Sequence, residues 1–306
     1  MGRTIAVIGA GLMGHGIALI MARAGHSVLL TDPVAAARET VVARMRDSME
    51  ALGDSPAVID AALSRTRIIE TVPEAVATAD VVFEAAPEKL PLKKAIFAEV
   101  EAHAPAQCIL ASNTSVMPIT QIMGDLKLKA RALGTHWWNP PHMIPLVEVI
   151  RTEWTNQAVA EDMMGLLGDA GKTPVLVNKD VPGFIGNRMQ HALWREAISL
   201  VERGICDAAS VDTVIKACFG RRLSVLGPLE NADLVGTDLT LDIHAQVLAD
   251  LEHRPGPSPL LEQMVADGQL GMKSGSGFYD WTDEKADAVR KRVSTHLQKL
   301  SGILEE

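Results

Sequence analysis

Aromatic residues and cysteines are scarce in this chain of 306 residues, which has one tyrosine and three cysteines. Cys108, Cys206 and Cys218 are odd in number and have no C-x-x-C spacing, which is evidence against a disulfide framework or a zinc site. We therefore expect a reduced, cytoplasmic protein without a metal centre. Because aromatic residues make up only 4% of the chain, the adjacent pair Trp137 and Trp138 is unusual here.

Basic residues are also in deficit, with 29 Lys and Arg against 38 Asp and Glu, so that the formal net charge is −9. Nucleic-acid-binding proteins normally carry a basic stripe, and we expect no such partner. Long apolar runs are missing as well, because Arg23, Gly25 and His26 interrupt the most hydrophobic stretch, residues 17–30. We expect no membrane span and no membrane partner. A hydrophobic content of 47% indicates instead a folded protein, and the length indicates two domains.

The two parts of the chain differ in their secondary-structure pattern. Up to residue 182, short apolar runs such as 4–8 and 146–150 alternate with helical patterns. This alternation predicts an α/β fold with a Rossmann-type, doubly wound parallel sheet over residues 1–182. Only helical periodicity follows, which predicts a C-terminal all-helical domain over residues 183–306.

A glycine-rich segment, Gly-Ala-Gly-Leu-Met-Gly at 9–14, follows the first predicted strand and opens the first predicted helix. Its first glycine permits a tight turn, its second lets a pyrophosphate approach the backbone, and its third lets the helix pack on the strand. A carboxylate at the end of the second strand accepts hydrogen bonds from ribose hydroxyls and repels a 2′-phosphate. The pattern predicts an NAD site formed by Gly9, Gly11, Leu12, Met13, Gly14 and Asp32.

His136 is the histidine best placed for chemistry, since it follows the apolar predicted strand 132–135. Glu148 lies inside another apolar run, and a carboxylate in a core strand is costly unless it has a partner. If the two strands are antiparallel, with the reversal at 140–142, His136 and Glu148 face each other. The carboxylate then orients the imidazole as a general base requires. The same spacing is equally compatible with a structural pair that only supports the loop.

The chain resembles the L-3-hydroxyacyl-CoA dehydrogenase family in segments that run almost from end to end. The matching segments are 9–14, 84–88 with Lys93, 111–115, 134–141, 145–149, 181–188 and 271–279. The resemblance implies an NAD-dependent dehydrogenase of fatty acid metabolism that oxidises a 3-hydroxy group of a small-molecule substrate to a 3-keto group. It also implies a homodimer formed through the helical domain, which binds the substrate.

The resemblance further implies roles for individual residues. His136 would take the proton from the C3 hydroxyl while hydride leaves C3 for the nicotinamide, and Glu148 would orient His136. Ser115 and Asn187 would hold the reacting oxygen and the substrate. The residues that match the family's cofactor contacts are Ala86, Glu88, Lys93 and Asn113. For the last three, a capping acid, a solvated lysine and a turn asparagine remain the plainer alternatives.

Departures from the family pattern concern the substrate. Residues 34–63, where the family usually has basic residues on the coenzyme A tail, contain no lysine. Their three arginines, Arg38, Arg44 and Arg46, fit a solvated helix face. Trp137 and Trp138 replace the family's usual Phe-Phe, which gives the pocket a bulkier wall with N–H donors. Segments 140–145, 188–196 and 226–230 are closer to the gulonate 3-dehydrogenase/lambda-crystallin group and to a vitamin B6-degrading aryl-alcohol dehydrogenase.

Three functions therefore remain open at the level of sequence. We favour a 3-hydroxyacyl-CoA thioester as the substrate because thioesters dominate the family. The first alternative is a free 3-hydroxy acid or a small aryl or sugar alcohol. The second alternative is a non-catalytic, crystallin-like protein that only binds NAD. The presence of all four candidate catalytic residues argues against this alternative, because NAD binding alone does not need Ser115, His136, Glu148 and Asn187.

Overall fold

The computed structural model describes residues 2–304, which divide by their contacts into two compact units. Unit 1 comprises residues 2–188 and 296–304, and unit 2 comprises Met189–Thr295. The contacts thus keep residues 183–188 in unit 1 and assign the end of the last helix to it as well. The division of function between domains 1–182 and 183–306 stays a prediction.

Unit 1 is built on a sheet that has eight strands within the described residues. They are β1 (Thr4–Ile8), β2 (Ser27–Thr31), β3 (Thr66–Ile69), β4 (Val81–Glu84), β5 (Ile109–Ser112), β6 (Ala132–Trp137), β7 (Leu146–Ile150) and β8 (Thr173–Val177). Their spatial order is β3-β2-β1-β4-β5-β6-β7-β8, and all neighbours are parallel except β6 and β7. The first six strands follow the Rossmann order, which confirms the predicted fold.

Helices connect the strands of unit 1 and make up most of unit 2. They are α1 (Leu12–Arg23), α2 (Ala35–Ala51), α3 (Pro56–Ser64), α4 (Val72–Val76), α5 (Leu90–His103), α6 (Ile119–Met123), α7 (Gln157–Asp169), α8 (Gly186–Glu202), α9 (Ala208–Ala217), α10 (Pro228–Val235), α11 (Thr237–Val247), α12 (Pro259–Ala266) and α13 (Asp283–Leu304). Helix α8 begins in unit 1, and α13 ends there. Among the described residues of unit 2, only isolated bridges at 271–280 interrupt the helical pattern, so the predicted C-terminal helical region is confirmed.

The hydrophobic core of unit 1 lies on both faces of the sheet. Ile5 and Val7 of β1 belong to one buried cluster, whereas Ala6 and Ile8 belong to a second cluster. This assignment follows from the strand geometry, because successive side chains point to opposite faces. Apolar residues at consecutive positions, rather than at alternating ones, are therefore typical of a strand that is covered on both sides.

Gly14 is required by the close approach of α1 to the loop before it. A Cβ atom on Gly14 would lie 1.7 Å from the carbonyl oxygen of Gly9. We expect Gly14→Ala to lower the free energy of unfolding by about 1–3 kcal/mol, since backbone has to shift to relieve the contact. Urea denaturation measures this change.

Gly11→Ala is the matched control for that experiment. A Cβ atom on Gly11 has no heavy atom within 4 Å, and the φ angle of −74° suits any residue. We expect the control to unfold at nearly the wild-type urea concentration. Equal losses of stability in the two variants would contradict the steric explanation.

Candidate active site

The antiparallel pair β6 and β7 places His136 opposite Glu148, as the sequence predicts. The Nδ1 atom of His136 lies 2.7 Å from Oε2 of Glu148, and the two residues are only 3% and 1% exposed. Because an ionised carboxylate only accepts hydrogen bonds, Nδ1 carries the proton of the neutral ring, and the lone pair lies on Nε2. Nε2 is thus the atom of His136 that can accept a proton from a substrate.

Glu148 is held in its ionised form by three donors. Its Oε1 atom accepts hydrogen bonds from the backbone N–H groups of Ile185 at 2.8 Å and Gly186 at 3.0 Å. Burial of the carboxyl group raises its pKa, but the hydrogen bonds from His136 and from these two amides hold the pKa below its ordinary value. The negative charge of Glu148 therefore persists at neutral pH, where it stabilises a protonated His136.

Two aromatic rings enclose the imidazole of His136. Its centroid lies 5.0 Å from the ring of Trp138 and 5.7 Å from that of Phe184. A Cβ atom on Gly186 would lie 2.4 Å from the Trp138 ring, so the indole fits because residue 186 is glycine. Phe184 lies in the matching segment 181–188 but was not among the predicted site residues, because its contact with His136 joins segments that are far apart in the sequence.

The other two predicted catalytic residues are joined to each other. Asn187 is buried and donates from Nδ2 to the carbonyl oxygen of Ser115 at 2.7 Å. The loop that carries Ser115 is tied to β6, because Oδ1 of Asn113 accepts from the backbone N–H of Trp137 at 3.0 Å. Asn187 also follows Gly186, the donor to Glu148. Ser115, His136, Glu148 and Asn187 thus belong to one connected network within unit 1.

The loop before α1 fits a dinucleotide. Gly9 has a φ angle of +105°, which favours glycine, and the space beside Gly11 is open. The first N–H groups of α1, at Leu12, Met13 and Gly14, have no acceptor within the helix and are suited to a pyrophosphate. Asp32 accepts from the N–H groups of Ala10 and Val34, both at 2.8 Å, which fixes its carboxylate beside this loop.

Lys93 is fully buried, so the solvated alternative is wrong. Its Nζ atom donates to Oε1 of Glu84 at 2.7 Å and to the carbonyl oxygen of Ala86 at 3.3 Å, and it lies 3.4 Å from Oε2 of Glu88. These three partners match the three protons of an ammonium group. Glu84 also accepts from Ser112 at 2.6 Å and was missed as a site residue, although it ends an apolar strand as a lone carboxylate.

Glu88 connects this ion pair to the loop that carries Ser115. Its Oε1 atom accepts from the Thr114 hydroxyl at 2.5 Å and from the Ser115 backbone N–H at 3.0 Å. Burial raises the pKa of Glu88, but the hydrogen bond from Thr114 and the charge of Lys93 lower it below its ordinary value. Glu88 is therefore a charged group that holds the Ser115 backbone.

The arginines of α2 bind the chain itself, which the sequence did not predict. Arg38 donates to the carbonyl oxygen of Asp32 at 2.6 Å, and Arg44 donates to that of Ala10 at 2.5 Å. Arg46 forms an ion pair with Asp60 at 3.0 Å. Arg38 and Arg44 are half-buried rather than part of a solvated face, and backbone acceptors leave no signal in a sequence.

Residues 2–304 contain neither a candidate metal site nor a candidate membrane span. That part of the chain has no group of three or more His, Cys, Asp or Glu arranged around a metal ion. None of its helices combines the length and apolarity needed to cross a bilayer. Cys108, Cys206 and Cys218 are all free thiols.

Comparison with known families matches both parts of the chain. Residues 4–181 match the model of the 3-hydroxyacyl-CoA dehydrogenase NAD binding domain. Residues 183–281 match the model of the 3-hydroxyacyl-CoA dehydrogenase C-terminal domain. The NAD binding match includes the glycine-rich loop and the His136–Glu148 pair.

Individual relatives extend over nearly the whole chain. A 5-formyl-3-hydroxy-2-methylpyridine 4-carboxylate 5-dehydrogenase from Mesorhizobium japonicum is 35% identical over 99% of this chain and 98% of its own length. A crystal structure of an enzyme of that name, described as an NAD+-dependent dismutase, has a TM-score of 0.92 and 34% identity, with coverage of 100% and 99%. The (S)-3-hydroxybutyryl-CoA dehydrogenase from Ralstonia eutropha has a TM-score of 0.78 and 32% identity, with coverage of 92% and 100%.

The buried Glu84–Lys93 pair provides a test of the site's architecture. Lys93→Met leaves the Glu84 carboxylate buried without its cation, and removal of one partner of a buried pair costs about 3–5 kcal/mol. We expect the free energy of unfolding, measured with urea, to fall by that amount.

Lys94→Met is the control, since Lys94 pairs with Asp125 at 2.8 Å on the surface. An exposed pair contributes only about 0–1 kcal/mol. A loss for Lys93→Met no larger than that for Lys94→Met would show that the buried pair is not what stabilises this region.

Proposed function

The chain belongs to the 3-hydroxyacyl-CoA dehydrogenase family, is an NAD-dependent dehydrogenase like its relatives, and we propose that its substrate is a free hydroxy compound rather than a coenzyme A thioester. The sequence favours the thioester because most members of the family act on thioesters. The contacts of the α2 arginines shift the proposal to the first alternative.

The observation that carries this proposal is the state of the cations in residues 34–63. The resemblance to the family implies that this segment contacts the coenzyme A tail, but in this chain the segment contains no lysine. Arg38 and Arg44 are bonded to backbone carbonyl oxygens, and Arg46 is bonded to Asp60. Each of the three side chains is therefore already held in place by an acceptor of the protein itself. The segment therefore offers no ready grip for the nucleotide part of coenzyme A.

The relatives support the same choice. The solved structure with a TM-score of 0.92 is named for a pyridine carboxylate, whereas the Ralstonia eutropha thioester enzyme has a TM-score of 0.78. A small carboxylate-bearing ring or chain is a substrate class that needs no nucleotide grip. We assign this class to the present chain.

In the proposed mechanism, Nε2 of His136 takes the proton of the substrate hydroxyl. Glu148 orients the imidazole and stabilises the positive charge that develops on it. Ser115 donates a hydrogen bond to the reacting oxygen, and the second N–H of the Asn187 amide serves the substrate. NAD, when bound, would supply the hydride acceptor. Gly9, Gly11, Leu12, Met13, Gly14, Asp32, Ala86, Glu88 and Asn113 would form its binding region, and the buried Lys93 would hold Ala86 and Glu88 in place.

The proposal extends to the compartment and the oligomeric state of the protein. We assign it to the reducing cytoplasm, which the three free thiols support. We assign it a homodimer built on unit 2, because none of the described side chains of α9, α10 and α11 is buried. Leu229 and Leu234 are 81% and 73% exposed, and such surfaces are typical of protein interfaces.

A substrate panel tests the proposal on the substrate. NADH formation is measured with 3-hydroxybutyryl-CoA and with free 3-hydroxybutyrate, gulonate, carnitine and a hydroxymethyl- or formyl-pyridine carboxylate. We expect kcat/KM for the best free compound to exceed that for the thioester by about tenfold or more, which corresponds to about 1.4 kcal/mol. A thioester turned over as well as or better than every free compound would overturn the proposal.

In the same assay, His136→Gln is expected to lower kcat by about 10²–10⁴-fold, the usual contribution of a general base. The exposed His103→Gln is its control.

The dimer is tested by light scattering after size-exclusion chromatography. We expect the wild-type chain to elute with twice the mass of one chain. The double variant Leu234→Glu/Leu241→Glu places charge on the apolar surface of α10 and α11 and is expected to be monomeric. Gln246→Glu adds a charge to α11 without removing an apolar side chain and should stay dimeric. A monomeric wild-type protein would contradict the assignment.

A further inference from the structure

Lys172 is a buried cation that the proposed mechanism does not use. It lies directly before β8 and is only 9% exposed. Among the described residues it has no carboxylate partner in an ion pair. Burial, together with the charge of Arg23, lowers the pKa of Lys172 to about 8. Placing an ammonium group in such surroundings opposes folding, so an apolar residue of similar length would be the simpler choice for stability alone.

Both acceptors of the Lys172 ammonium group belong to the turn between β6 and β7. Its Nζ atom donates to the carbonyl oxygen of Pro141 at 2.6 Å and to that of Ile144 at 3.1 Å. It also lies 5.6 Å from the ring centroid of Trp137, the residue that follows His136. One ammonium group thus holds both sides of the turn and the end of the strand that carries the proposed base.

The same turn packs against the start of α1. A Cβ atom on Gly16 would lie 2.4 Å from Cγ of Pro141, which shows how closely the two segments approach. The ring of His142 contacts that of His15 edge-on at 6.0 Å, and Nδ1 of His15 lies 3.1 Å from the carbonyl oxygen of Gly11. The turn therefore lies between the catalytic pair and the cofactor loop.

We infer that Lys172 is a positioning residue, which fixes the β6–β7 turn and thereby holds His136 against Glu148 and in place beside the cofactor loop. The inference rests on the proposed role of His136 as the base. Without the two carbonyl contacts, the turn gains freedom at the only antiparallel pair of the sheet described here. A displacement of about 1 Å at a reacting group costs up to about a hundredfold in rate.

The charged and titratable groups near Lys172 come from three elements. His142 lies in the turn itself, His15 and Arg23 lie on α1, and Arg44 of α2 acts on His15. Burial, His15 and Lys172 lower the pKa of His142 to about 4, so His142 is neutral at neutral pH. Lys172 is therefore the charged member of this cluster that binds the turn.

Lys172→Met, made in the full-length protein with NAD, is the first test. The variant keeps the length of the side chain and removes the donors. We expect kcat on the best substrate of the panel to fall by about tenfold or more while KM for NAD changes by less than about twofold. The low-field proton NMR signal of His136 Nδ1–H, identified by its loss in His136→Gln, should shift or broaden. A residue that only stabilised the fold would leave both readouts of the folded enzyme unchanged.

Lys129→Met is the matched control. Lys129 also donates to a backbone carbonyl, that of Gly124 at 3.1 Å, and also lies over an indole, 5.0 Å from the centroid of Trp154. Its loss removes the same kinds of contact elsewhere in unit 1, and we expect wild-type kcat and an unchanged His136 signal. Lys172→Arg keeps the charge and the donors in a larger head group and is expected to recover part of the rate.

A second variant applies if Lys172→Met does not fold. Gly16→Ala pushes on Pro141 from the side of α1 and should lower kcat and alter the His136 signal in the same direction. Wild-type kcat and an unchanged signal in whichever of the two variants folds would overturn the inference. Full activity in His136→Gln would instead refute the proposed base, so the two failures are distinguishable.

Discussion

The buried carboxylate of Glu148 joins three segments of unit 1, because it accepts hydrogen bonds from Nδ1 of His136 on the preceding strand and from backbone N–H groups almost 40 residues further along the chain. A carboxylate inside a sheet is tolerated only when donors surround it, since an isolated buried charge costs several kcal/mol. Glu148 obtains its donors from β6 and from the backbone at Ile185 and Gly186. The folded state therefore has to bring β6, β7 and the start of α8 together. The same requirement selects one tautomer of the imidazole.

A second buried carboxylate, Glu84, has a cation as its partner instead of an imidazole. Comparison of the two pairs distinguishes a structural ion pair from a pair that can take part in catalysis. Its cation is Lys93, whose three protons all have partners within the protein. Lys93 therefore has no donor left with which to engage a reacting group without losing a partner. His136 uses only one of its two nitrogens to satisfy Glu148, so the other remains able to exchange a proton. Both carboxylates stabilise one arrangement of the sheet, but only one leaves a reactive atom.

Much of this architecture follows from patterns among neighbouring residues. The Rossmann-type sheet, the glycine-rich loop and the His136–Glu148 register were predictable because apolar period, turn position and motif spacing are properties of contiguous sequence. The burial of Lys93 and the position of Phe184 were not, because they depend on which distant segments meet. The contacts of Lys172 were also not predictable, because its acceptors are backbone carbonyl groups, which every residue has.

The arginines of α2 are bonded to acceptors of the protein itself. Arg44 donates to the carbonyl oxygen of Ala10, a buried residue of the cofactor loop. If Arg44 turned away to bind a phosphate, that carbonyl would lose its donor, at a cost of about 1–3 kcal/mol. A single exposed ion pair returns only about 0–1 kcal/mol, so the exchange is unfavourable. Arg38 is bonded in the same way to Asp32. In this chain Arg38 and Arg44 of α2 therefore support the dinucleotide loop, and under the proposed function the substrate is bound nearer to His136, where Trp138 and Phe184 contact the imidazole.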